Sequence, residues 1–293
     1  MSDYVISCCS TADLSRERYK ERDIKVADFH FEIDGKQYMD DGRFPISDFY
    51  RAMEKGAMTK TSQINVDEYI AHFTPFLEEG KDIIHLTLSS GISGTINSAN
   101  IAADELRDRY PDRKLYIIDS LAASSGYGLL MDALADKRDS GMAIDELKSW
   151  ALEHRLELNH WFFTTDLTYL VRGGRVSKAA GWFGGALKIC PLLNVDFEGH
   201  LIARSKHRGK AAVIKAAAKK MLENANGGAA YDGKCYISQS ACRGDAEALI
   251  KEVEALIPAM KGKVEIYDIG TTIGSHTGPG TVAIFFWGNK RID

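Results

Sequence analysis

Short apolar runs alternate with longer amphipathic stretches through the first half of the chain. Residues 4–8, 82–89 and 114–119 are apolar segments of strand length. Residues 95–109 and 122–137 have helical composition, and Ile144, Leu147, Ala151 and Leu152 recur at helical spacing. Strands alternating with helices predict a largely parallel sheet with helices on both faces. Asp34-Gly35, between residues 26–33 and 36–39, predicts a hairpin, because this pair supplies the positive φ angles of a tight turn. The second half reads differently. A strand over 161–164 and a hairpin of 192–197 with 201–205 are followed by helices over 209–224 and 245–256 and strands over 234–238, 264–269 and 281–287. Hairpins mixed with helices predict a mixed sheet. The pattern is therefore α/β, read as two domains over residues 1–159 and 160–293.

Composition narrows the function classes. The 293 residues are 45% hydrophobic and 27% charged, with a net charge of −4. That balance gives no global attraction for nucleic acid or an anionic membrane. No apolar run approaches the ~20 residues of a spanning helix, and the first residues carry no basic-then-apolar signal, so no stable membrane insertion is expected. The five cysteines are odd in number, and neither a CxxC pair nor a cysteine/histidine cluster suggests a metal. Free thiols in a reducing cytoplasm are the expectation.

Four segments gather hydroxyls, glycines and one histidine between elements: residues 59–63, 89–95, 170–175 and 274–280. In the second, a strand ends, small residues turn the chain and a helix begins. Unpaired N–H groups and partial positive charge at a helix start attract anions, and Ser93, Gly94 and Thr95 stand there with two hydroxyls. Ser93 or Thr95 can equally be a helix cap. The same holds for Thr61-Ser62 ahead of a helix over 66–76. Arg172 and Arg175 suit a helix end, where cations are favoured. No P-loop or G-x-G-x-x-G is present, and residues 91–95 lack the last glycine of a nucleophile elbow.

Taken in order, these segments resemble the DegV family over nearly the whole chain. The resemblance is carried by Ser10-Thr11-Ala12-Asp13-Leu14, Thr61-Ser62-Gln63, Ser89 through Thr95, Ile118-Asp119-Ser120, Gly173-Gly174-Arg175, Lys188 through Leu193, and the His276 loop ending in Gly278-Pro279-Gly280. Cys9 stands where the family usually has aspartate, and Ile64 where it usually has proline. The resemblance implies a two-domain DegV-like fold with the ligand between the domains. The ligand it implies is a long-chain fatty acid, its carboxylate held by hydroxyls and its tail in an apolar tunnel. It also implies a separate ATP-dependent fatty acid kinase that converts the bound carboxylate to an acyl phosphate, so the chain itself is a carrier and not an enzyme.

The residues suit that task. Thr61, Ser62, Ser93, Gly94, Thr95 and His276 offer neutral donors, and charge-assisted hydrogen bonds to a carboxylate are strong. Arg172, Arg175 and Arg208 are candidates for the partner or the phosphate in transfer. Phe183, Leu187, Ile189, Leu192 and Phe285 are candidate tunnel walls, and no cofactor or metal is called for. Two rivals are a serine acyl hydrolase using Ser93 and His276 and a binder of small phosphorylated metabolites.

Overall fold

The structure is a computed structural model and describes residues 4–177 and 189–292. In chain order its strands are β1 (Tyr4–Cys9), β2 (Ile24–Ala27), β3 (His30–Ile33), β4 (Lys36–Met39), β5 (Thr59–Ser62), β6 (Asp82–Thr87), β7 (Leu115–Asp119), β8 (Leu158–Thr164), β9 (Ile189–Val195), β10 (Leu201–Arg208), β11 (Cys235–Gln239), β12 (Val264–Asp268) and β13 (Thr281–Trp287). The helices are α1 (Arg16–Glu21), α2 (Ile46–Glu54), α3 (Val66–Glu78), α4 (Thr95–Arg109), α5 (Ser124–Asp139), α6 (Ile144–His154), α7 (Thr168–Arg172), α8 (Lys210–Asn224), α9 (Arg243–Leu256) and α10 (Thr271–Thr277).

The α/β reading holds. A parallel sheet runs β2-β1-β6-β7, and a mixed sheet runs β10-β9-β8-β13-β11-β12, in which β11 and β12 are the parallel pair. A third sheet, β4-β3-β5, is antiparallel and small, and the sequence pattern did not announce it. Its hairpin turns as expected on Asp34 and Gly35, at φ of 47° and 85°. It starts at His30, because the residues before it form β2 of the parallel sheet.

Helix α5 lies between the two larger sheets, touching β1 on one side and β8, β11 and β13 on the other. It is buried nearly all round. Two glycines permit this. A methyl added at Gly126 would lie 2.4 Å from the Phe285 ring, and one at Gly128 would lie 2.6 Å from the Ala12 carbonyl oxygen. Close-packed interiors cannot absorb such overlaps cheaply. Alternation along β8 then divides the core. Phe162 faces α5 and shares a core with Ile6, Ile84 and Leu86 of the parallel sheet. Phe163 faces away, into a second core beneath α8 and α9.

Two local expectations change. Thr61-Ser62 is strand β5 and caps nothing; Asn65 caps α3 through a reciprocal capping box with Glu68. The His276 segment is helix α10 followed by a turn. The loop after β1 keeps its order with Cys9 in place of an aspartate. Ser10 Oγ accepts from Phe29 N at 3.1 Å and donates to Asp40 at 3.0 Å, while the Cys9 thiol lies 3.4 Å from the Tyr69 hydroxyl. Among the described residues no helix is long and apolar enough to cross a membrane.

Candidate functional site

A cavity of about 750 Å³, open solvent at its mouth included, is walled by the loop before α4, the start of α5, the α5 face of the mixed sheet, and α10. Its interior is narrow.

Polar groups converge at one part of the wall. Thr61 on β5 faces α10, and its hydroxyl lies 2.8 Å from His276 Nε2. Period-two alternation turns Ser62 the other way, into solvent. The His276 ring packs against bare backbone at Gly173, where an added methyl would lie 2.3 Å from Nδ1. Burial, and then the charges of Arg175 and Arg172, hold its pKa down at about 4, so the ring is neutral near pH 7. Arg175 is half-buried and lines the same cavity, and its Nε donates to the Ile92 carbonyl at 3.2 Å. That bond ties the Gly-Gly-Arg segment to the serine loop. Ser93 lines the cavity too; its Oγ accepts from Thr95 N at 3.3 Å, at the positive end of α4.

The remaining expected residues lie elsewhere. Gly94 is exposed and caps α4 with no side chain. Thr95 is buried and bonds the Tyr69 hydroxyl at 2.8 Å, away from the cavity. Arg172 ends α7 exposed, over the Tyr169 ring and beside the Met58 sulfur. Arg208 is exposed at the far end of β10, seven residues and roughly 20 Å along the strand from Leu201 of the cavity wall. Of the tunnel candidates, Phe285 lines the cavity. Leu192 faces the opposite core because β9 alternates, and Val195 takes the wall position instead. Ile189 does not line it, and Phe183 and Leu187 lie outside the described residues.

Sequence reasoning missed Ser124, His160, Thr272, Thr277 and Thr281, which also line the cavity. Ser124 Oγ donates to buried Asp13 at 2.6 Å. Both residues hold positive φ, 53° and 48°, a conformation that carries local strain. Of these only Thr277 stood in a segment that the sequence singles out, residues 274–280, without being named. Near the turn between β9 and β10, Asp196, Glu198 and His200 bring ligand atoms within 4.8 Å of one another. Asp196 instead shapes that turn by accepting from the backbone N–H groups of Glu198 and His200, at 3.0 and 2.8 Å. A Ser93–His276 nucleophile pair gains no support, since His276 Nε2 is turned to Thr61 and Ser93 Oγ to the α4 backbone.

Comparison with known proteins agrees with this architecture. Residues 6–289 match the model of a family described as uncharacterised proteins of the DegV family. A DegV domain-containing protein of Clostridium perfringens is 35% identical over 99% of both chains. A fatty acid-binding protein of Thermotoga maritima is 32% identical over 93% of both chains. The solved structure of the Streptococcus pneumoniae fatty acid kinase (Fak) B3 protein, loaded with linoleic acid, is similar in fold, with a TM-score of 0.84 at 21% identity over 99% of this chain and 100% of that one. The chain belongs to the DegV family.

Proposed function

We propose that this chain binds one long-chain fatty acid and presents its carboxylate to a separate ATP-dependent kinase, which forms the acyl phosphate. The observation that carries the reading is the narrow cavity in which Thr61, Ser93, Arg175 and His276 meet beside walls such as Phe29, Leu88, Phe162 and Phe285. Thr61 and the neutral His276 share one hydrogen bond, so one proton of that pair and the Ser93 hydroxyl are left to donate to the carboxylate, and Arg175 supplies the charge. The neutral donors already make charge-assisted bonds to an ionised carboxylate, and the guanidinium adds a donor that is itself charged. The apolar walls take the tail. At ~0.8 kcal/mol per buried CH₂, about fifteen carbons give roughly 12 kcal/mol gross before ordering costs.

The kinase step rests on the resemblance to proteins that include the Fak B3 protein. Arg172, exposed beside the polar part of the cavity, is the cation placed to meet that partner, and Arg208 lies away from it. The division at residue 159 belongs to the same proposal, the first part supplying Thr61 and Ser93 and the second most of the tail wall. So does a cytoplasmic location, where five free thiols, four of them buried, remain reduced.

Palmitate titrated into the delipidated protein tests this reading. Arg175→Ala should weaken binding by about tenfold to a hundredfold, the worth of a charge-assisted bond. Arg175→Lys should recover part of the loss, because a point charge replaces the fork. An unchanged affinity in Arg175→Ala would remove the guanidinium from the head-group site. A wild-type protein that takes up no palmitate would end the fatty-acid reading.

A further inference from the structure

His160 stands in the cavity wall, and nothing in the carboxylate site uses it. It lies on β8 opposite Phe285 of β13. Thr164 and Thr281 pair four residues earlier along this ladder, about 13 Å away. Thr281 belongs to the polar part, donating from Oγ1 to the carbonyl of Thr277, the neighbour of His276, at 3.2 Å. His160 is thus deep in the tail region. It is only 2% exposed, and its ring meets Phe285 edge-on, with centroids 5.2 Å apart.

Its two nitrogens are unequal. Nδ1 lies 3.1 Å from the Leu158 carbonyl oxygen. A carbonyl only accepts, so Nδ1 carries the proton and Nε2 is left as a bare acceptor. Nε2 has no hydrogen-bond partner among the described residues. It faces the bare backbone of Gly126, where an added methyl would lie 2.5 Å away. Burial and the charge of Arg291 keep the ring neutral. A buried acceptor without a donor is costly. His160 also lines the cavity.

We propose that His160 reads the acyl tail: Nε2 accepts a hydrogen bond from a hydroxyl on the chain, and the preferred ligand is a long-chain fatty acid hydroxylated well away from its carboxylate. The inference rests on the fatty-acid reading and narrows its ligand class. A site built to bond a hydroxyl discriminates against the analogue that lacks it, because the site's own polar group is then left unpaired.

The experiment measures affinities of octadecanoic acid and of its 2-, 9-, 10-, 12-, 14- and 16-hydroxy derivatives for the delipidated full chain, wild type and His160→Phe. At least one mid-chain or distal isomer should bind wild type about tenfold tighter than octadecanoic acid, with no such gain for the 2-hydroxy acid. In His160→Phe that ratio should fall to one or below. If no distal hydroxy isomer outbinds octadecanoic acid, the proposal fails while the fatty-acid reading stands. It also fails if the advantage survives in His160→Phe. If neither acid class binds wild type, both readings fail together. Should His160→Phe not fold by circular dichroism, the wild-type series decides alone, and a preferred distal isomer supports the proposal.

Discussion

Replacing Asp132 by alanine should lower the stability of the folded chain by about 3 kcal/mol. Asp132 sits in α5 with no side-chain exposure. Its Oδ2 accepts from Arg18 at 3.2 Å, from the Tyr236 hydroxyl at 3.0 Å and from Lys234, and Arg22 Nε lies 3.4 Å from Oδ1. One carboxylate therefore joins α1, α5 and β11. Its removal leaves Arg18, Arg22 and Lys234 without their shared buried partner, although Asp136 still pairs with Arg22 and Lys234 and Glu265 lies 3.7 Å from Arg18. The loss stays at the low end of what a broken buried pair costs, because Arg18 and Arg22 keep 24% and 20% of their side chains in water. Asp132→Asn, which keeps the shape but not the charge, should fall between. Urea unfolding followed by far-UV circular dichroism measures both as shifts in midpoint at unchanged slope. An unmoved midpoint in Asp132→Ala would show the cluster to be energetically idle.

Acid should destabilise the protein through a second buried network. Ser7 Oγ lies 2.8 Å from His72 Nε2 and 2.9 Å from His85 Nδ1, beneath α3. Burial lowers the His72 pKa to about 4 and holds that of His85 well below the ordinary histidine value, with His72 adding to the effect. An unfolded histidine titrates near 6.5. Above that pH both states are neutral and stability does not depend on these rings. Between about 6.5 and 4 the unfolded chain takes up protons that the folded chain refuses, so stability falls by about 1.4 kcal/mol per unit for each ring. His72 alone then contributes a loss of about 3 kcal/mol by pH 4. Asp13, Asp28 and Asp40, whose pKa values burial raises, act in the opposite sense. The clean readout is therefore a difference. The stability gap between wild type and His72→Phe should shift in favour of the variant by more than 2 kcal/mol from pH 7 to pH 4.5. A gap that does not move with pH would show that His72 titrates normally.

The fold was legible where pattern and length agreed. The helix over 95–109 was read to the residue, as was the Asp34-Gly35 turn. The parallel and mixed sheets followed from alternating and hairpin-linked strands. What escaped were elements fixed by tertiary contact. Helix α10 contains Gly274, whose missing side chain admits the Tyr50 hydroxyl to within 2.4 Å of where a methyl would stand, and the glycines around it read as loop. Strand β5 is four residues long and exists because β3 offers it an edge. In the site, Ser93, Thr61 and His276 were singled out and share one cavity, whereas Ser62 and Thr95 do not line it. Periodicity separates Thr61 from Ser62 only once the strand is recognised. Arg175 was grouped with Arg172 and Arg208 as a contact for the partner or the phosphate, because nothing in the sequence shows that its segment folds back onto the Ile92 carbonyl. His160 and Ser124 were invisible as wall residues because they meet the cavity only through the packing of α5 between two sheets.

The most direct test of the central claim is native mass spectrometry of the freshly purified chain, followed by denaturation and lipid extraction. One non-covalent long-chain fatty acid per chain is expected, released on denaturation and diminished in the Arg175→Ala and His276→Ala proteins. A chain that carries no lipid as purified and stays empty when offered palmitate, oleate or hydroxylated octadecanoic acids would contradict it.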